Sequence, residues 1–280
     1  MMIQTAPQGE KRFVSTMVEH LDLCYQFALA FGNDEFERPE PYEEFLYTVK
    51  NHDRGWDKFD ANPVLDEKSG FPCGLGSGPV SNVVNTSKLS PNFNEAKHAY
   101  CGLLSSMHSW GLYNDRYGFS QFRVLDGGKS VPVPPGEEDT VKGLLDGEIE
   151  RQARLKQSLS MNPETSRWIE EDNLFRNYKL LQFFDTLALY FNMRHYSEHT
   201  EETFVHVPKT VDLDVDITIK PGGDRHYSIT PFPFQGDKLE VSCNGRYFEA
   251  VTLDTAPEDL SAMLYGLPTK NQTFVFLNEP

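Results

Sequence analysis

Two hydrophobic periodicities divide the chain, and they change over near Thr200. Before that point apolar residues recur at helical spacing. Over Val18–Phe31, His20, Cys24, Phe27 and Phe31 fall on one face, and Gly32-Asn33 supplies a stop. Residues 11–17 ahead of it read as a short strand. A second helix is predicted to start near Pro41, which suits a first helical position, and Phe45, Val49 and His52 share its stripe with Asp53 alongside. A third, from Asn94 to Tyr113, aligns Ala96, Tyr100, Leu103, Leu104, Met107 and His108. A polar helix follows over Glu137–Ser160. The longest spans Pro163–Met193, with Leu174, Tyr178, Leu181, Asp185, Ala188 and Leu189 along one side.

Two stretches lack period. Residues 61–93 are rich in Gly, Pro and Ser and read as a lid loop over the neighbouring His-Asp pair. The CGLGSG run inside them suggests a phosphate-binding glycine loop, but it has no preceding strand and no Lys-Ser/Thr ending, which favours the lid reading. Residues 121–136 read as irregular. After Thr200 the period becomes two: Val211, Leu213, Val215, Ile217 and Ile219 alternate with Asp212, Asp214 and Asp216, a half-buried strand with an acidic solvent face. Pro221–Asp224 is expected to turn, Asn244-Gly245 to form a two-residue hairpin, and Phe274–Leu277 to close a sheet. The pattern predicts a helical domain over residues 1–200 and a β-rich appendage over 201–280 packed on it.

Charge narrows the function. With 42 acidic against 26 basic residues, a net charge of −16 repels phosphate backbones and argues against nucleic-acid binding. A small anionic substrate remains compatible, because a metal and a few local bases can invert the sign inside a pocket. No apolar run reaches the roughly 18 residues of a membrane span. The start of the chain lacks a signal-peptide core, and the four cysteines show no CxxC spacing. These features point to reduced thiols and a cytoplasmic location.

The candidate chemistry lies where polar residues interrupt apolar faces. Asp185 sits inside KLLQFFDTLALYF, where an unpaired carboxylate costs several kcal/mol. His52 and Asp53 end an apolar stripe and open NHDRGWDKFD, and a neutral imidazole beside a carboxylate is a common first shell for Zn, Mn or Fe. His20 and His108 also lie on apolar faces. His98 is ten residues before His108, roughly 15 Å along a helix, so the two cannot share a site.

The order His20, His52-Asp53, His108, Asp185 on four helices resembles the HD (His-Asp) metalloenzyme superfamily over roughly residues 18–193. Within it the chain looks most like an uncharacterised bacterial domain-of-unknown-function family. The cues are His-Asp-x-Gly-Trp at His52–Trp56, LLSSMH at Leu103–His108 and LLQFFDTLAL at Leu180–Leu189. The resemblance implies a mainly α fold, an HD-like helical bundle with a small C-terminal antiparallel β subdomain. It implies one or two divalent ions (Mn, Fe or Zn, with Mg possible) held by His20, His52, Asp53 and Asp185. His108 would be a fifth ligand, serve a second metal, or contact substrate. Dinuclear members supply two well-separated histidines in that interval, and here only His108 fits.

The expected activity is metal-dependent hydrolysis of a phosphorylated small molecule or nucleotide. His108 or Asp57 would handle the water or leaving group, and Arg54, Lys58 or Lys68 would offset phosphate charge. An HD-type iron-dependent oxygenase and a non-catalytic metal-binding scaffold are the alternatives.

Overall fold

The computed structural model describes residues 1–119, 130–133, 135–252, 255 and 258–278, without the side chain of Val80. Most of the irregular stretch expected at 121–136 lies outside them. Two short strands, β1 (Met2–Ile3) and β2 (Arg12–Ser15), precede α1 (Met17–Ala30). That helix starts where Thr16 and Glu19 close a capping box: Thr16 Oγ1 accepts from the Glu19 N–H, and Glu19 Oε2 accepts from the Thr16 N–H at 2.6 Å. Next come α2 (Tyr42–Asn51), a 3-10 turn at Arg54–Trp56 and α3 (Asp57–Ala61). A small hairpin, β3 (Leu65–Asp66) with β4 (Phe71–Pro72), leads to α4 (Val80–Lys97) and α5 (Ala99–Tyr113). Three further helices follow: α6 (Glu138–Ser160), α7 (Pro163–Trp168) and α8 (Glu171–Met193). The remainder comprises β5 (Glu202–Pro208), β6 (Asp214–Gly223), β7 (His226–Thr230), β8 (Lys238–Phe248), α9 (Leu260–Gly266) and β9 (Lys270–Leu277).

The expected fold class is corrected by the sheet. The chain is 50% helical and 20% strand, and seven strands form one curled mixed sheet, a half-barrel in the order β1-β2-β8-β9-β7-β6-β5. It is not a small antiparallel subdomain beside a helical bundle. The N-terminal β1 and β2 belong to it through the pairs Met2↔Ser15 and Phe13↔Tyr247, and β7 runs parallel to β9. Phe274–Leu277 does lie in this sheet, but in an interior strand rather than at an edge. Its inner face packs on α1 and α8. Phe191 stands 4.5 Å from Phe274, and Phe27 stands 5.5 Å from Phe276, ring centre to ring centre. Each buried ring contributes about 2 kcal/mol, so helices and sheet share one core.

Local expectations fail where a residue type does a different job from its usual one. Asn244-Gly245 lies within β8 and is no hairpin turn; Gly245 pairs with Lys270, and a Cβ there would meet the Phe13 ring at 2.5 Å. Val211 and Leu213 are exposed and precede the strand, which begins at Asp214. The lid is corrected too, because residues 80–93 belong to α4. That helix buries Thr86, Ser87, Ser90 and Asn94 and so carries no apolar stripe. The helix expected from Asn94 breaks at His98, whose Nδ1 caps α5 by accepting from the Tyr100 N–H at 3.1 Å. The longest predicted helix is likewise two, α7 and α8. No helix among the described residues is long and apolar enough to cross a membrane.

His199 ties the end of α8 to the sheet. Its Nδ1 lies 2.7 Å from the Tyr227 hydroxyl, and its ring centre lies 4.3 Å from that of Tyr190. Burial holds its pKa down at about 4, below the ordinary 6.5. Between those values an unfolded chain takes up a proton that the folded chain refuses, so stability falls as pH is lowered through this window. His199→Gln should therefore lose about 2 kcal/mol less stability than wild type between pH 7 and pH 5. Urea unfolding at both pH values checks this; parallel losses would remove His199 as a cause.

Candidate metal centre

Five residues from four separated places in the sequence meet inside the helical layer. α1 carries His20, α5 carries His108 and α8 carries Asp185, while His52 ends α2 and Asp53 opens the 3-10 turn. Gly55 makes that turn possible. Its N–H donates to Ser90 Oγ at 3.0 Å, and a Cβ would meet the Thr86 carbonyl at 2.4 Å, so only glycine lets α4 come this close. Asn94 then donates to the Asn51 carbonyl at 2.8 Å, and Ser105 donates to the His52 carbonyl at 3.2 Å. The buried polar face of α4 thus holds the His-Asp corner in place.

His20 Nε2 lies 3.2 Å from Asp185 Oδ1, and His52 Nε2 lies 3.9 Å from Asp185 Oδ1 and from Asp53 Oδ2. His108 Nε2 is 3.7 Å from Asp53 Oδ1. The ligand atoms of His20, His52 and Asp185 fall within 4.8 Å of one another, as do those of His52, Asp53 and His108. These buried His/Asp clusters could hold a metal ion. The donor chemistry fits one. His52 Nδ1 donates to the Val49 carbonyl at 2.8 Å, which leaves Nε2 a lone pair facing carboxylate oxygens with no hydrogen-bond partner. A lone pair set among oxygens is repulsive until a cation joins them. Both triads need this same nitrogen, and one lone pair serves one ion.

The charges respond to burial and to each other. Burial opposes a charge on His20, but Cys24, with Sγ 3.5 Å from Nε2, and the Asp185 carboxylate outweigh it and hold its pKa well above 6.5. Burial, helped by the neighbouring His108 and His20 and opposed by Asp53 and Asp185, lowers His52 to about 4. Asp185 should be raised by burial, yet the His20 hydrogen bond, the neighbouring imidazoles and Arg116 pull it below the usual carboxylate range. Asp53 is lowered as well, chiefly by His108 working against burial.

Arg54 and Asp57 are not brought into this cluster. They pair with each other at 2.8 Å, and the Arg54 guanidinium lies 5.5 Å over the Phe93 ring on α4. Lys58 and Lys68 are exposed. Three contributors are new. Arg116 Nη2 stands 3.5 Å from Asp185 Oδ2, Gln182 Nε2 stands 2.8 Å from His108 Nδ1, and Asn192 Oδ1 accepts from His20 Nδ1 at 2.9 Å. Gln182 and Asn192 fall on the Asp185 side of α8, three residues before it and seven after, a spacing visible in the sequence. Arg116 had no such signal, because it sits in a turn where Asp115, Arg116 and Tyr117 all have positive φ.

The chain belongs to the family described as Protein of unknown function (DUF3891), whose model matches residues 2–250. The matched span holds every residue of the cluster and the strands β1 to β8, and stops before α9 and β9. No match was found among curated proteins or among solved structures.

Two outcomes follow from this geometry. Gly55→Ala should lower stability by about 1–3 kcal/mol through the clash with Thr86, read as a shifted urea midpoint. Metal uptake must displace the proton that His20 shares with Asp185. Apparent zinc affinity should therefore fall by up to about tenfold per pH unit below the raised His20 value, and competition titrations at pH 6 and pH 8 measure it.

Proposed function

We propose that this protein is a phosphohydrolase with an HD-type metal centre holding one divalent ion, acting on a phosphorylated small molecule or nucleotide. The observation that carries the reading is that His20, His52 and Asp185 form one triad and His52, Asp53 and His108 a second, joined through His52, with the four residues of the HD order among them. Mixed imidazole and carboxylate donors suit Mn, Fe or Zn and tolerate Mg. His20, His52, Asp53 and Asp185 would hold the ion, which would supply Lewis acidity toward a phosphoryl oxygen and lower the pKa of a nearby water toward neutrality.

The protein's own groups account for the rest. Asn192 and the Val49 carbonyl orient the two imidazoles from behind, so their Nε2 atoms are aimed before any ligand arrives. Asp53 has a side chain 15% exposed against 0–5% for His20, His52, His108 and Asp185, so the cluster meets solvent on its side. A substrate reaches the site there with one small group rather than a polymer, in keeping with the acidic chain.

The shared His52 nitrogen speaks against the iron-dependent oxygenase, which wants two irons about 3.5–4 Å apart. The same burial supports a second reading, an ion that is purely structural and closed to water. Elemental analysis of the purified protein, with a phosphoester panel in Mn, Mg, Fe and Zn, separates them. The hydrolase reading expects about one ion per chain and turnover, both lost in Asp185→Asn and His52→Ala. One retained ion without turnover supports the structural reading. Full activity after chelation sinks both.

A further inference from the structure

The three imidazoles of the cluster do not carry their protons on the same nitrogen. His52 donates from Nδ1 to the Val49 carbonyl, so its Nε2 is a lone pair. His20 also donates from Nδ1, and its Nε2 faces Asp185 through the proton they share: Asn192 Nδ2 donates to Cys243 Sγ at 3.3 Å, which turns Asn192 Oδ1 toward His20 Nδ1 as an acceptor. His108 faces the opposite arrangement. A guanidinium can only donate, and Arg116 Nε donates to Gln182 Oε1 at 2.7 Å. That bond fixes the amide orientation and points the Gln182 NH2 at His108 Nδ1, 2.8 Å away. Nδ1 must therefore accept, and the ring hydrogen sits on Nε2. At 3.7 Å from Asp53 Oδ1 this N–H is too far for a hydrogen bond and has no other partner among the described residues.

We propose that Arg116 and Gln182 form a positioning relay that locks His108 in the Nε2–H tautomer, making it a fixed hydrogen-bond donor to an oxygen of the substrate or its attacking water, and not a metal ligand. Metal coordination through Nε2 would require the lone pair that the relay removes. General acid catalysis would require a second proton on Nδ1, where the Gln182 NH2 stands. What remains is an Nε2–H beside Asp53, on the side where the cluster meets solvent. A fixed donor of this kind stabilises negative charge as it develops on an oxygen.

The chain holds this relay at some expense. Asp115, Arg116 and Tyr117 adopt φ of 53°, 47° and 56°, a left-handed run that costs roughly 1–2 kcal/mol per non-glycine residue. Arg116 is buried, with Asp185 as its counter-charge. Strain of this kind persists where the surroundings over-determine it, commonly at working sites.

The donor's target rests on the phosphohydrolase reading; the tautomer does not. Nitrogen-15 NMR of histidine-labelled full-length protein reads both ring nitrogens, and His108→Gln assigns the signals. Wild type should show His108 with Nε2 protonated and Nδ1 bare, the reverse of His52. Gln182→Glu keeps the acceptor for Arg116 and replaces the NH2 by an oxygen, so Nδ1 should become protonated while the thermal midpoint and metal content hold. A bare Nε2 in wild type, or an Nδ1 that stays bare in Gln182→Glu, overturns the lock. Where wild type hydrolyses a phosphoester, Gln182→Glu should lower kcat by about a hundredfold with KM little changed. Unchanged kcat after the tautomer has moved would overturn the donor role. A wild type that shows the lock but no hydrolysis would refute the phosphohydrolase reading and leave the tautomer standing.

Discussion

A carboxylate buried in the most apolar helix of the chain governs the rest of the molecule. Asp185 has a side chain only 5% exposed, between phenylalanines and leucines of α8. Stripping water from such a group costs several kcal/mol unless positive charge and donors replace it. The replacements come from two other places: His20 on α1 and Arg116 from the left-handed turn after α5. One electrostatic demand therefore fixes the relative positions of two helices and a turn. A cation among the same oxygens would extend that logic.

The sheet serves the centre without contributing a ligand. Cys243 on β8 accepts from Asn192, and Asn192 accepts from His20, so the curled sheet sets the imidazole from behind. The aromatic layer of Phe27, Phe191, Phe274 and Phe276 fixes α1 and α8 on that surface. Small errors in ligand placement have large effects on metal sites, and a rigid outer layer is the usual protection. On the opposite side α4 does the same with hydroxyl and amide groups, through Ser90 and Asn94. The centre thus lies between a sheet-backed aromatic wall and a polar helix, with Asp53 toward solvent.

What could be read beforehand follows from which physical signals are local. Helices with one apolar face, such as α1 and α2, were legible because that face is their main contribution to the core. The five residues of the cluster were legible for the converse reason: each is a polar group where the period demands an apolar one. α4 was not legible, since it buries Thr86, Ser87, Ser90 and Asn94 against other polar groups and its period vanishes. Asn244-Gly245 misled because glycine serves close packing against Phe13 there, while the same dipeptide elsewhere serves a turn. Strand alternation gives a strand but not its neighbours, so the reach of the sheet back to β1 and β2 was hidden.

The sequence by itself determined that imidazoles and carboxylates would be buried, because burial follows from periodicity and periodicity is written locally. It also marked Asp185 and the His52-Asp53 pair as groups too costly to bury unpaired, without fixing which residues would meet them. Only the tertiary structure decided that the two triads share one His52 nitrogen and which partner stands behind each imidazole. Those properties depend on second partners, Val49, Asn192 and the Arg116–Gln182 pair, whose distances and orientations are set by helices packing across the fold.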